Sequence, residues 1–378
     1  MYALARPLLF ALDPGTAHAF GMAALAPLEH LSPLRTIARA ILAPRRESLR
    51  VRAMGLTFPS PIGLAAGFDK NARRARALAA LGFGHVELGT VTALPQEPNP
   101  EPNLFRLPLD HALINRLGFP NEGAEAVMQR FVRRGGARGV RIPVGVSIGK
   151  SRAIGIEPLS AAIADYVTSF RAVRQEADFV VVNVSSPNTK DLRALQSAAL
   201  AKELLGAIVR ENELAARVPL LVKIAPDLAD DALDALLEVA RELALDGVVA
   251  TNTTVARDGL VSPAAWVASL GAGGMSGPPL RERALEVVRR ARATLGKDAT
   301  IFGVGGIANA EDVLAFVRAG ANLVQLYTAF VYGGPFVAWR IARALEGVLM
   351  REGVTHIGEL VGVPRLAPSG GDVRSITA

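Results

Sequence analysis

Phe179-Val180-Val181-Val182 runs directly into Asn183-Val184-Ser185-Ser186-Pro187-Asn188-Thr189. The apolar half is a buried-strand pattern, and the polar, turn-forming half is poor material for a core. A strand end holds side chains still while a loop lets them converge, so such a junction suits a binding or catalytic site. Two amides and two hydroxyls there can bind a planar ligand rich in hydrogen-bonding groups, and one hydroxyl can move a proton. Alone, the segment reads equally well as a Ser/Asn-rich turn. Its weight comes from similar punctuation after almost every other apolar run.

Seven more runs of strand length surround it: Ile62 to Ala66, His85 to Val91, Val144 to Ile148, Leu220 to Ile224, Gly247 to Thr251, Thr300 to Val304 and Leu323 to Tyr327. Segments of helical periodicity separate most of them, such as Ala229 to Leu243 with Leu233, Leu236, Leu237 and Ala240 on one face. Parallel strands need such crossovers. Eight β/α units predict an α/β protein built on a closed (β/α)8 TIM barrel, with an open doubly wound sheet as the competing layout. The sitelike residues at so many strand ends favour the barrel, whose C-terminal face gathers all eight loops.

The division predicted is an N-terminal helical segment over 1–44, the barrel over 45–363 and a loose tail over 364–378. Thr16 to Leu28 and Ser32 to Leu42 read as short helices, with Ser32 as N-cap and Pro33 at the first helical position. Leu34, Ile37, Ala38, Ile41 and Leu42 fall on one face, near Arg35, Arg39, Arg45 and Arg46. Such a face either packs on the barrel or lies in a membrane interface. No stretch approaches the roughly 18–20 apolar residues of a membrane span, and Leu8 to Leu12 stops at Asp13-Pro14 without the flanks of a signal peptide.

Composition removes several classes. The chain has no cysteine, which excludes disulfides, thiolate metal sites and cysteine-based catalysis. Histidines 18, 30, 85, 111 and 356 lack metal-ligand spacing, so no metal is expected. Net charge is +7, but aromatics make up only 5% and no dense basic run interleaves with rings, so nucleic acid is not the expected partner. Of only six lysines, those at 70, 150, 190 and 223 sit at or just past strand ends.

The strand ends supply a second layer of signal. Ala65-Ala66-Gly67-Phe68-Asp69-Lys70 lets a flat ligand approach the backbone and offers it a cation. Lys223 within a strand must face the barrel mouth or bear a heavy desolvation cost. Thr251-Asn252-Thr253 adds an amide and hydroxyls, and Gly277 and Gly306 expose backbone N–H groups where such barrels cradle phosphate. A lysine for partial negative charge, amides for ring edges and a phosphate cradle describe a flavin mononucleotide (FMN) site. A second, acidic ligand then falls between that flavin and Lys70, Asn183 and Asn188.

AAGFDK (65–70), LGTVT (88–92), LFRL (104–107), INRLGF (114–119), NVSSPNT (183–189), VKIAPD (222–227), ATNTT (250–254), GGMSGPPL (273–280) and GVGG (303–306) occur in this order. Together they resemble the dihydroorotate dehydrogenases of class 2, the quinone-dependent, membrane-associated group, over about residues 8 to 345. The resemblance implies oxidation of dihydroorotate to orotate in pyrimidine biosynthesis, with loss of a proton from C5 and a hydride from C6 to FMN. Ser186 matches the family's catalytic base; class 1 relatives use a cysteine there, which this chain cannot supply.

By the same resemblance, Lys70, Asn115, Asn183, Asn188, Asn252 and Thr253 bind the substrate, and Arg116, Leu117, Gly118 and Phe119 complete its loop. Ala66, Gly67, Phe68, Asp69, Lys70, Thr90, Ser147, Asn183, Thr251, Gly277, Gly306, Tyr327 and Thr328 hold FMN, with Lys223 stabilising negative charge on the reduced ring. His18 and Arg106 match positions lining a quinone tunnel under the N-terminal helices. The group's placement implies a monomer on the cytoplasmic face of the bacterial inner membrane. One departure stands out: the family's N-I-G-K-N is here Ser147-Ile148-Gly149-Lys150-Ser151, so Ser147 needs a water to reach the flavin. Two other readings compete: a flavin enzyme passing electrons to fumarate or nicotinamide, and a flavin-free phosphate-binding lyase or isomerase barrel.

Overall fold

The structure, a computed structural model, describes residues 2–44 and 47–364. Arg45, Arg46 and the expected tail from 365 onward lie outside the described residues. Eight parallel strands close into a barrel in sequence order: β1 (Ile62–Leu64), β2 (His85–Val91), β3 (Val144–Ile148), β4 (Phe179–Asn183), β5 (Leu220–Ile224), β6 (Gly247–Ala250), β7 (Thr300–Val304) and β8 (Leu323–Leu326). Closure comes from β8 against β1, with Val324 opposite Ile62. Strands such as β3 and β4 are buried at every residue, because the barrel interior covers one face and the helices the other.

The helix Asp230–Glu242 shows how the outer ring is specified. Leu233, Leu236, Leu237 and Ala240 are all buried, as the periodicity predicts, and Asp230 and Asp231 in the first turn complement the helix dipole. The N-terminal mouth of the barrel is plugged by the hairpin Val51–Ala53/Leu56–Phe58. Its Phe58 ring meets His85, Phe179 and Phe302 at 5.5, 6.4 and 6.4 Å.

Two regions differ from the sequence reading. The N-terminal segment forms four helices, Tyr2–Ala11, Pro14–Ala24, Ala26–His30 and Ser32–Leu42, rather than two. The single helix expected over Thr16 to Leu28 is divided at Leu25, just before Pro27, and the real N-cap is Asp13, whose carboxylate accepts from the Gly15 and Thr16 N–H groups. Ser32 is the first helical residue and makes no side-chain cap; Leu31 occupies the cap position. Secondly, LFRL and INRLGF supply strands Leu104–Leu107 and Ala112–Asn115, which join Gly274–Ser276 in an antiparallel sheet over the barrel mouth.

The appendage is tied down by Glu29. Its buried carboxylate receives Arg76 Nε and the Ala77 N–H, both at 2.9 Å. Removing one partner of such a buried pair costs about 3–5 kcal/mol, because the other charge is left unpaired. Arg39 adds a 2.7 Å bond to the Val140 carbonyl. Leu42 at the end of that face is buried in the core, yet Leu34, Ile37 and Ile41 remain exposed, so only part of the apolar face of Ser32–Leu42 is spent on the barrel. No helix among the described residues is long and apolar enough to cross a membrane.

Candidate active site

One cavity opens at the C-terminal mouth of the barrel, roofed by the antiparallel sheet and lined by the ends of every strand but β3. Ala66, Gly67 and Lys70 enter after β1, Thr90 from β2, Asn183, Ser186 and Asn188 from β4 and its loop, and Lys223 from β5. Thr251, Asn252 and Thr253 follow β6; Gly306 follows β7; Tyr327 and Thr328 follow β8. The roof contributes Asn115, Leu117, Gly118, Phe119 and Gly277.

The amides form a connected set. Asn183 Nδ2 donates to Thr90 Oγ1 at 3.0 Å, and its Oδ1 accepts from the Ser185 N–H at 3.2 Å and from Asn252 Nδ2 at 3.3 Å. Asn188 Nδ2 donates to Asn115 Oδ1 at 3.1 Å, joining the β4 loop to the roof. Ser186 is buried, and its Oγ accepts the Asn188 N–H at 3.2 Å, a local turn that fixes the hydroxyl within the loop.

Two cations face this set. Lys70 Nζ donates to the Gly67 carbonyl at 2.6 Å, and burial pushes its ammonium down to about 8, with Asp69 partly opposing the shift. Lys223 Nζ stands 4.0 Å from Glu87 Oε1, inside the barrel. Glu87 Oε2 accepts from Gln325 Nε2 at 2.7 Å, while Glu87 Oε1 and Gln325 Oε1 are buried without a hydrogen-bond partner. Gln325 also lines the cavity, so its amide oxygen offers unfilled polar capacity there, beside the Lys223 ammonium.

At the opposite end lie Gly277, Gly305, Gly306 and Thr328, with Ser276 and Thr328 hydroxyls 2.8 Å apart. Gly277 has φ +112° and Gly306 φ +70°. A Cβ on Gly277 would come within 2.9 Å of Ala112 Cα, and one on Gly306 within 2.7 Å of Arg281 Cβ. The glycines therefore also let the roof and the helix Arg281–Leu295 pack directly on the cradle.

Six expected site residues lie outside the cavity lining. Arg116 turns away: its guanidinium bonds the Pro102, Leu270 and Ala272 carbonyls and stacks 4.8 Å from the Phe105 ring, holding the roof together. The backbone of its loop stays at the site while the long side chain is consumed elsewhere. Asp69 is buried and accepts from the Arg73 and Arg74 N–H groups at 2.8 and 2.7 Å. Phe68 packs between the His18 and Tyr327 rings, at 5.0 and 6.1 Å. Ser147 is buried behind Thr90, with 2.9 Å between their hydroxyl oxygens, and reaches the cavity only through it.

His18 lines a neighbouring cavity that also contains Lys70 and Phe68. Burial, and secondarily the Lys70 charge, lower its imidazole to about 4, so it is neutral at pH 7. Arg106 donates to the Phe10 and Leu12 carbonyls at 3.2 and 2.8 Å and lies over the Phe10 ring, where the first helix meets the roof. Phe10 in turn meets Tyr332, which lines the main cavity, at 5.1 Å. Of the lysines noted at strand ends, Lys150 is consumed by the Ser151 and Ile154 carbonyls. Among the described residues no group of three or more His, Asp or Glu could hold a metal ion.

Residues 48–349 match the dihydroorotate dehydrogenase family profile. The chain is 51% identical over 367 residues to the dihydroorotate dehydrogenase (quinone) of Thermobifida fusca, covering 96% of this chain and 97% of that one. It is 48% identical over 362 residues to the namesake from Mycolicibacterium smegmatis, with 96% and 99% coverage. The crystal structure of DHODH from Eimeria tenella in complex with ferulenol superposes with a TM-score of 0.82 at 34% identity, covering 93% of this chain and 95% of that one. With the closed barrel and its roofed, amide-lined mouth, these likenesses lead to one assignment: the chain belongs to the dihydroorotate dehydrogenase family, in its quinone-dependent branch.

Proposed function

We propose that the protein oxidises dihydroorotate to orotate in pyrimidine (UMP) biosynthesis, using bound FMN and handing the electrons to a membrane quinone. The observation that carries this reading is the convergence of Ser186, four asparagines and Lys70 on one cavity whose far end is a glycine cradle. FMN suits the site: the cradle with Thr328 takes a phosphate, and Gln325 offers an unfilled amide oxygen and Lys223 a cation to a ring edge. When bound, FMN supplies the hydride acceptor for C6 of dihydroorotate.

The chain's own residues do the rest. Lys70 meets the substrate carboxylate, while Asn115, Asn183, Asn188, Asn252 and Thr253 hold the pyrimidine ring and its amide edges. Ser186 Oγ takes the C5 proton; a serine is a weak base, so the proton passes on through water or a neighbouring hydroxyl. Leu117 and Phe119 keep bulk water from the reacting face. Lys223 stabilises negative charge that develops on the ring system as the hydride leaves the substrate. Ser147 acts at one remove, through Thr90.

His18 and Arg106 belong to the quinone approach, beneath helices whose exposed Leu4, Leu8, Phe20, Leu34, Ile37 and Ile41 lie against lipid. On this reading the protein is a peripheral membrane protein on the cytoplasmic face of the inner membrane, working as a monomer. The purified protein should be yellow, and its colour should return after anaerobic bleaching when a quinone is added. A colourless protein that takes up no FMN would overturn the reading and favour a flavin-free phosphate-binding barrel.

A further inference from the structure

Ser186 and Thr253 sit on loops that leave different barrel strands, and a third such loop carries Asp227. Arg193 joins all three. Its Nε donates to the Ser185 carbonyl at 3.1 Å, Nη1 to Asp227 Oδ2 at 2.7 Å and Nη2 to the Thr253 carbonyl at 3.0 Å. Arg193 itself is not part of the cavity lining. Asp227 is held from the other side by the Val255 N–H at 3.1 Å and by the Thr254 hydroxyl.

The acceptors matter more than the ion pair. The Ser185 carbonyl belongs to the planar peptide unit whose nitrogen is that of Ser186, so fixing that oxygen fixes the plane from which Ser186 projects. The Thr253 carbonyl does the same for the loop between Thr253 and Thr254. A guanidinium is a rigid planar fork, and three acceptors taken by one fork have little freedom relative to one another. The two loops that flank the substrate are thus referenced to a single group outside the cavity.

We propose that Arg193, anchored by Asp227, is the positioning residue that sets Ser186 and Thr253 against the two sides of the substrate. This rests on Ser186 being the base. Misplacing a reacting group by about 1 Å costs on the order of a hundredfold in rate. The step affected is removal of the C5 proton, not electron transfer to the quinone.

The test compares half-reactions in Arg193→Met, Ser186→Ala and the double variant. Arg193→Met should keep the flavin content and the rate at which quinone reoxidises photoreduced flavin. Reduction by dihydroorotate should slow about a hundredfold, with a larger isotope effect when C5 carries deuterium. Arg193→Lys should remain slow, because an ammonium lacks the planar fork. The double variant should fall below Ser186→Ala by far less than Arg193→Met falls below the natural protein, because with the Ser186 hydroxyl gone Arg193 acts only through Thr253. If Arg193→Met does not fold, Asp227→Asn should show the same pattern at smaller size.

A wild-type reduction rate in Arg193→Met beside a slow Ser186→Ala would overturn the positioning role alone. So would losses that combine in full in the double variant, or a loss shared equally by both half-reactions. A wild-type rate in Ser186→Ala would remove the base assignment and this inference with it.

Discussion

Lys223 Nζ and Glu87 Oε1 face each other at 4.0 Å, both buried, in the barrel interior. The separation is too long for a hydrogen bond, so the pair balances charge while the ammonium keeps donor capacity for the cavity. A buried carboxylate at the barrel centre would otherwise be unfavourable. Gln325 completes the arrangement by donating to the other Glu87 oxygen.

Removing that ammonium has two consequences. Lys223→Met should slow flavin reduction by about 10²–10³-fold, the usual effect of losing one preorganised charge-stabilising donor. It should also lower the melting temperature, because Glu87 is left buried and unpaired. Stopped-flow absorbance and thermal melts measure the two effects separately. Lys223→Met/Glu87→Gln should recover stability without recovering rate.

Lys70 gives a pH dependence. Its ammonium, pushed down to about 8 by burial, must be protonated to attract the substrate carboxylate. As pH rises through about 8 the cation is lost, so kcat/KM for dihydroorotate should fall about tenfold per pH unit on the alkaline side. Lys70→Arg, whose cation persists at those pH values, should flatten that limb whatever its effect on the maximum.

His85 gives a stability dependence of opposite sense. Its ring is enclosed by Phe58, Phe179 and Phe302, neither ring nitrogen has a partner, and burial lowers its pKa to about 3 from the ordinary 6.5. The unfolded chain therefore binds the proton first as pH drops. Stability is fully present above about 6.5 and declines toward about 3, by at most ~1.4 kcal/mol per pH unit from this group. His85→Leu, of similar volume and no charge, should reduce that slope in urea melts recorded between those pH values.

The exposed face of Ser32–Leu42 tests the membrane role. Leu34→Glu/Ile37→Glu should weaken co-sedimentation with anionic lipid vesicles and lower turnover with a long-chain quinone. Flavin reduction by dihydroorotate should be unchanged, because neither residue approaches the cavity lining.

The barrel was legible because strands buried on both faces read as unbroken apolar runs, and the helix Asp230–Glu242 because Leu233, Leu236 and Leu237 keep its period. Strand ends were overrun by one residue where Thr251 or Tyr327 leaves the ladder to line the cavity. The roof was not legible. Leu104–Leu107 is short and only partly buried, and the other edge strand of the roof, Gly274–Ser276, comes from far along the chain. Tyr2–Ala11 was hidden by Pro7 within it.

Among site residues, strand-end lysines and asparagines announced themselves as polar groups where a core should be. Gln325 and Arg193 did not. Gln325 interrupts a strand by a single residue, and its significance depends on Glu87, which the barrel brings to it from the other side of β1. Arg193 looks like any other arginine until the loops after β4, β5 and β6 are brought together. Arg116 shows the converse: a sequence neighbour of Asn115 whose side chain goes to the roof.

The central claim is that Ser186 removes the C5 proton of dihydroorotate in a flavin-bearing site. The direct measurement is anaerobic rapid mixing with dihydroorotate, following flavin absorbance in the natural protein and in Ser186→Ala. Bleaching should be fast in the first and, with the same starting spectrum, slowed by about 10²–10⁴-fold in the second. Equal rates in the two, or no bleaching of the natural protein, would contradict it.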